Sequence, residues 1–351
     1  WSGANTVCVY NNAPAPVPGQ NGCPAGAAVV ATGGSLTAAL NTHCTGAKRC
    51  LFRRGEPYSS GTSISIANGP KYFGAYGTGP KPVWQDTAAA PNNNFIGFAD
   101  NGTDFQFVDL DVRGKANVIN SPSGVAFNAS NDIVIHRALW LRTSISRFDV
   151  ALYTHCNNYP ACNLDSLPQD VHSQIAFVDS TAEFGPGGQA NLSNLANIYI
   201  TAKYFSMAGS ISGNDLAGSV TTNGMSGSSF NGRFKYIDKG YINHNDWGLT
   251  NPGPDPMGVA SEIIGCGQEY EPGTNSIGIR GGGILSMRNG LNIGMSGDYP
   301  GQDEIFVDNY VSACKYTQTS MIGFQGTDCS VGTTKESHRY SRMSSNIFSS
   351  A

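Results

Sequence analysis

The chain has 351 residues, 40% of them hydrophobic, and a formal net charge of −4. That length fills a large core or two ordinary domains. The slightly acidic balance gives no electrostatic case for nucleic acid or an anionic membrane, and no apolar run nears the roughly 20 residues that span a bilayer. Charged residues are 13%, about half of the roughly 25% usual in soluble domains. Gly (44 residues), Ser, Thr and Asn take their place, a mixture suited to short strands joined by many turns.

The first residue is Trp1 rather than Met, which reads as a processed product or a trimmed chain. The chain carries nine cysteines. Cys8/Cys23, Cys44/Cys50, Cys156/Cys162 and Cys314/Cys329 are close neighbours in sequence and are expected to form disulfides, leaving Cys266 free or available to another chain. Metal binding is the rival reading, but CxxC and Cys/His clusters are lacking. Disulfides imply an oxidising, secreted or extracellular setting.

Residues 33–44, "GGSLTAALNTHC", predict a short helix with Ser35 as N-cap and Leu36, Ala39 and Leu40 on its apolar face. The run "LFRRGEPY" (51–58) comes next. Its Arg53, Arg54 and Glu56 read as polar trim on the first coil of a repeating structure, pairing with one another or with the lid before them. Most of the remaining chain alternates with period two: 62–67, 104–114, 132–143, 174–184, 197–209, 233–245, 275–294 and 303–314. "FVDLDV", "FVDSTA" and "FVDNYV" share a break in parity at Asp109, Asp179 and Asp308, as a chain needs where it turns a corner between two strands. The first runs lie about 29 residues apart, within the range of solenoid repeats, whose coils bury their faces by stacking.

"SLTAALNTHCTGAKRCLFRRGEPY" (35–58), "KYFGAYGTGPKPVW" (71–84), "KGYINHNDWGLTNPGP" (239–254) and "FVDNYVSA" (306–313) resemble the right-handed parallel β-helix proteins of the pectate-lyase-like class. The resemblance implies an all-β fold, a right-handed parallel β-helix (solenoid) with a short N-terminal capping helix. Residues 1–34 are then a disulfide-containing cap or extension, and 35–351 the β-helix domain. This architecture hosts lyases, hydrolases and passive fibres alike.

If Val108, Leu110 and Val112 face inward, then Asp109, Asp111 and Arg113 face outward. A 29-residue offset would set Arg142 over Arg113 and Trp140 over Asp111, with Glu183 near the same column. Carboxylates, arginines and an indole on a flat sheet can grip a sugar chain. In a lyase, Asp/Glu with Ca²⁺ neutralises a uronate while Lys/Arg removes the α-proton. An exposed charge ladder that keeps a β surface soluble accounts for the same residues. In lyase-like relatives the stretch after "NPGP" often carries a cluster of lysines and histidines, whereas "DPMGVASEIIG" (255–265) has neither, and no arginine. The six histidines are scattered, and "IRGGG" (279–283) lacks the lysine and helix of a phosphate loop.

Two functions lead, with host recognition or adhesion as a third. One is an extracellular structural protein that self-associates through open coil ends into a homo-oligomer, fibre or surface layer. The other is a secreted protein that binds or cleaves an acidic polysaccharide, with Ca²⁺ as its possible cofactor.

Overall fold

In the computed structural model of the chain, residues 2–46, 49–67, 69–89, 94–99, 102–115, 123–130, 133–155 and 173–184 are described. Beyond them strand backbones are described, from Ala196–Thr201 to Ile347–Phe348. The fold is all-β, dominated by one large, curled, parallel sheet. Its first strands are β1 (Thr6–Tyr10), β2 (Ala28–Ala31), β3 (Arg49–Arg53), β4 (Pro57–Ser60), β5 (Ile64–Ile66), β6 (Lys71–Tyr76) and β7 (Val83–Asp86). Then come β8 (Ile96–Phe98), β9 (Gly102–Val108), β10 (Asp111–Arg113), β11 (Ser123–Ser130), β12 (Ile135–Leu141), β13 (Ser144–His155) and β14 (Ser173–Phe184).

Pairing sorts these strands into three ladders, each visited in turn. The first runs β2–β1–β3–β6–β9–β12–β14. The second runs β4–β7–β10 and on to the start of β13. The third runs β5–β8–β11 and on to the later part of β13. Of the N-terminal segment, β1 and β2 therefore contribute rungs to the first ladder, with β2 at its edge.

The interior is a stack of aromatic rings. Register aligns Phe73, Phe107, Trp140 and Phe177 on successive rungs of the first ladder. Phe73 and Phe107 stack at 5.4 Å, and Phe107 and Trp140 at 5.3 Å. Phe52 meets Trp84 edge-on at 5.0 Å. Burial of such rings, each removing roughly 150–250 Å² from water, dominates a core of this kind.

The parity breaks are corners in left-handed backbone. Asp109 has φ 57°, Arg142 49° and Asp179 47°, and register sets all three in one column, because Val108, Leu141 and Val178 pair just before them. A second column stands at the other end of the same strands: Asp104 (φ 63°), Arg137 (52°) and Gln174 (56°). Each rung thus reads as a left-handed residue, four strand residues and another left-handed residue. Side chains such as these cost roughly 1–2 kcal/mol there relative to ordinary backbone, so the packing on both sides must hold them. Inside the corner, Thr143 Oγ1 donates to the Phe107 carbonyl (3.0 Å) and Ser180 Oγ accepts from the Thr143 amide (2.9 Å). These hydroxyls give the interrupted backbone its partners.

The break at Asp109 also reverses parity. Phe107 and Leu110 are both in the core cluster, whereas Val108, between Phe107 and the corner, is not. Val108 therefore faces outward, contrary to the placement drawn from unbroken alternation.

Ser35 caps the short helix as expected: its Oγ accepts from the Ala38 amide (3.1 Å) over Leu36–Ala38, and the chain continues as a π-turn, Ala39–His43. Leu36, Ala39 and Leu40 join the core beside Ile64 and Ile66. Disulfides Cys8–Cys23 and Cys44–Cys50 are formed. The first folds a loop over the outer face of the first ladder, where Cys8, Cys23, Ala27, Leu51 and Tyr76 form a small separate core. Cys156, Cys162, Cys266, Cys314, Cys329 and Asp308 lie outside the described residues.

Candidate functional site

Two arginine–carboxylate sites dominate the described residues. One is the entry run 51–58. Glu56, with its side chain 7% exposed, accepts from the amides of Asn11 (2.6 Å) and Asn12 (3.0 Å), from the Tyr58 hydroxyl (2.8 Å) and from Arg53 Nη1 (3.2 Å). Arg53 Nη1 also donates to the Asn12 carbonyl (2.7 Å), its Nη2 to the Pro14 carbonyl, and its guanidinium lies over the Tyr10 ring at 5.3 Å. Tyr76 donates to the Val9 carbonyl (3.1 Å). Burial pushes the Tyr76 hydroxyl up to about 12, and burial with the neighbouring Glu56 carboxylate pushes Tyr58 up further. Every partner named is part of the fold, and the cluster ties the N-terminal segment to the first rungs. Lys71 does similar work nearby, donating to the carbonyls of Cys44 (3.0 Å) and Thr45.

The second site is the corner column. Arg142 grips Asp109 with two bonds, Nε to Oδ1 at 2.7 Å and Nη2 to Oδ2 at 3.2 Å, and Arg54 approaches the same carboxylate at 3.2 Å. Arg113 pairs with Asp111 (Nε to Oδ2, 3.0 Å) on its own strand. Lys81 Nζ donates to Ser144 Oγ at 2.9 Å. The Arg142 hydrogen bonds and the charges of Arg142, Arg54 and Lys81 hold Asp109 below the usual carboxylate range, against the opposing effect of burial. Burial lowers Lys81, with Asp111 and Asp109 working the other way. The second column repeats the motif: Arg137 donates to both oxygens of Asp104, at 2.6 and 2.7 Å.

Asp109, Asp111, Arg113 and Arg142 thus come together on the surface, but not in the expected arrangement. Arg142 stands over Asp109, 33 residues away, and Arg113 lies beside Ser146. Trp140 is 1% exposed. It belongs to the core stack rather than the outward face, because the strand between Arg137 and Arg142 turns its second and fourth residues outward. Glu183 lies in register with Ser212, and its side chain is outside the described residues. Sequence reasoning missed Arg54 and Lys81 as corner residues and missed the Asp104/Arg137 column altogether. The signal for that column was the repeated spacing: "DFQFVD", "RALWLR" and "QIAFVD".

Among the described residues no group of three or more His, Cys, Asp or Glu gathers as a metal site, and no helix is long and apolar enough to cross a membrane. The chain matches no protein-family model, no curated protein and no solved structure.

Proposed function

We propose that the chain is a right-handed parallel β-helix, of the pectate-lyase-like kind, that serves as an extracellular structural protein and associates with copies of itself into a fibre or surface assembly. The cyclic order of the three parallel ladders supports the coil, and the strong preference for right-handed crossovers between parallel strands supports its hand. Two disulfides support an oxidising compartment. One observation carries the functional reading. The outward carboxylates of the two columns are engaged: Asp104 by Arg137, and Asp109 by Arg142 and Arg54, pairs that lock different rungs together, while Asp111 is held by Arg113 of its own strand. A Ca²⁺ or sugar site needs carboxylate oxygens turned to its ligand. Sedimentation velocity across a concentration series tests the proposal. Species larger than the monomer that grow with concentration are expected, and a single monomeric boundary throughout would overturn it.

A second reading, a polysaccharide-binding or polysaccharide-cleaving protein, draws on Lys81. Its amine, lowered by burial and set among Asp109, Asp111, Arg54 and Arg142, is the group of the corner nearest to a general base. Activity on an acidic glycan, with or without Ca²⁺, that disappears in Lys81→Met would establish it. Inactivity across a broad panel of such glycans would remove it.

A further inference from the structure

Between the two left-handed columns lies an outward strip of the first ladder. Its residues are Gln106 and Val108 on β9, Leu139 and Leu141 on β12, and Ala176 and Val178 on β14. Gln106, Leu139, Leu141, Ala176 and Val178 are half-exposed, whereas Val108 is already covered, at 5% exposed. On β6 the Tyr72 ring lies across Gly74, so closely that a Cβ there would meet it at 2.5 Å. The protein covers the earlier part of this same face itself. Cys23 and Ala27 pack on Leu51 and Tyr76, with Tyr72 against that cluster. Further along, the strip continues with small and aliphatic side chains between charged rims.

Those rims carry a regular pattern of charge. On β9 both rim residues are acidic, Asp104 and Asp109; on β12 both are basic, Arg137 and Arg142. A two-fold axis parallel to the strands, midway between β9 and β12, would lay the face on itself with the rung order reversed. Asp109 would then face Arg142 of a second copy, and Asp104 its Arg137. The same operation sets Val108 against Leu141 and the bulky Tyr72 against the small Ala176. From the structure we infer that this strip is the lateral contact between two copies of the chain, packed face to face about that axis. The inference rests on the self-association proposed above and adds a lateral surface to the open coil ends.

A two-fold contact is self-complementary by necessity, and facing sheets pack about 10 Å apart. The exposed guanidiniums of Arg137 and Arg142, 52% and 49% exposed, keep donors for a second carboxylate. Four rungs at about 4.8 Å by six residues at about 3.3 Å give roughly 400 Å² per copy. That falls below a standard stable interface, so the contact is weak alone; being two-fold it closes at two copies, and it gains strength only where a second contact, such as one at the coil ends, already holds copies in a row.

The test is sedimentation velocity on wild type, Leu141→Lys and Ala176→Arg, with melting curves to show which variants stay folded. Ala176→Arg changes a small outward side chain and guards against a Leu141→Lys chain that fails to fold. The association constant of each folded variant is expected to fall at least ~10-fold, and wild-type association to weaken with salt. Association by the folded variants equal to wild type would overturn the inference while leaving self-association standing. A wild type that stays monomeric would overturn both. A wild type that binds an acidic glycan through this strip, with binding rather than association lost in the variants, would assign the face to a sugar instead.

Discussion

The entry cluster and the corner columns use the same chemistry, an arginine on a carboxylate, in opposite environments. At the entry, Glu56 is 7% exposed and receives two backbone amides, a tyrosine hydroxyl and Arg53. At the corner, Asp109 is 23% exposed and the gripping Arg142 49%. A buried carboxylate that loses a partner leaves other groups unpaired out of water, whereas an exposed pair exchanges its bonds for water. The entry arginine is therefore part of the framework, whereas the corner arginines, paired but exposed, can share their remaining donors with a partner at little cost to the fold.

The largest effect expected lies in neither region but in the core they both rest on. Trp140→Ala should destabilise by about 3–5 kcal/mol in denaturant titrations, and a loss below about 1 kcal/mol would contradict the buried stack. Glu56→Gln should cost about 2–3 kcal/mol, since the amides of Asn11 and Asn12 lose a charged acceptor. Asp109→Asn should cost only about 0.5–1 kcal/mol, and its effect should shrink in high salt while that of Glu56→Gln persists. Equal costs and equal salt responses at the two sites would erase the distinction.

Titration divides the regions further. The carboxyl of Asp109 is held below its ordinary value, so its contribution is present above about pH 3.9 and is lost as pH falls through its lower folded value. Asp109→Asn should remove that part of the acid transition. Tyr76 is raised to about 12, so the entry keeps its stability below about pH 10 and loses it as pH climbs toward the folded value. Ultraviolet titration should show tyrosines that ionise late, or only on unfolding. The smallest effect concerns backbone: Gln174, exposed and at φ 56°, should gain up to about 1 kcal/mol as Gly and lose about as much as Val, read as opposite shifts in Tm.

Much of this was legible in the sequence. Period-two alternation located β5, β9, β10, β12 and β14 but passed over β11 and β13; Ser35 marked the helix start, and "FVD" marked corners at Asp109 and Asp179. Register was not legible. Aligned apolar runs suggested 29 residues, whereas Asp109 meets Arg142 after 33 and Thr143 meets Ser180 after 37, because the connections between rungs differ in length. Nor did anything local mark Arg137 and Arg142 as left-handed, a conformation that arginine rarely adopts. Without that, Trp140 was assigned to the wrong face. Arg54 and Lys81 reach the corner from earlier rungs, and only the pairing of strands distant in sequence brings them there.

Electron microscopy of the native protein tests the central proposal most directly. Elongated particles that join into fibres, with side-by-side pairing lost when Leu141→Lys or Ala176→Arg is introduced, are the result predicted. Separate, single particles at every concentration would contradict a structural, self-associating role.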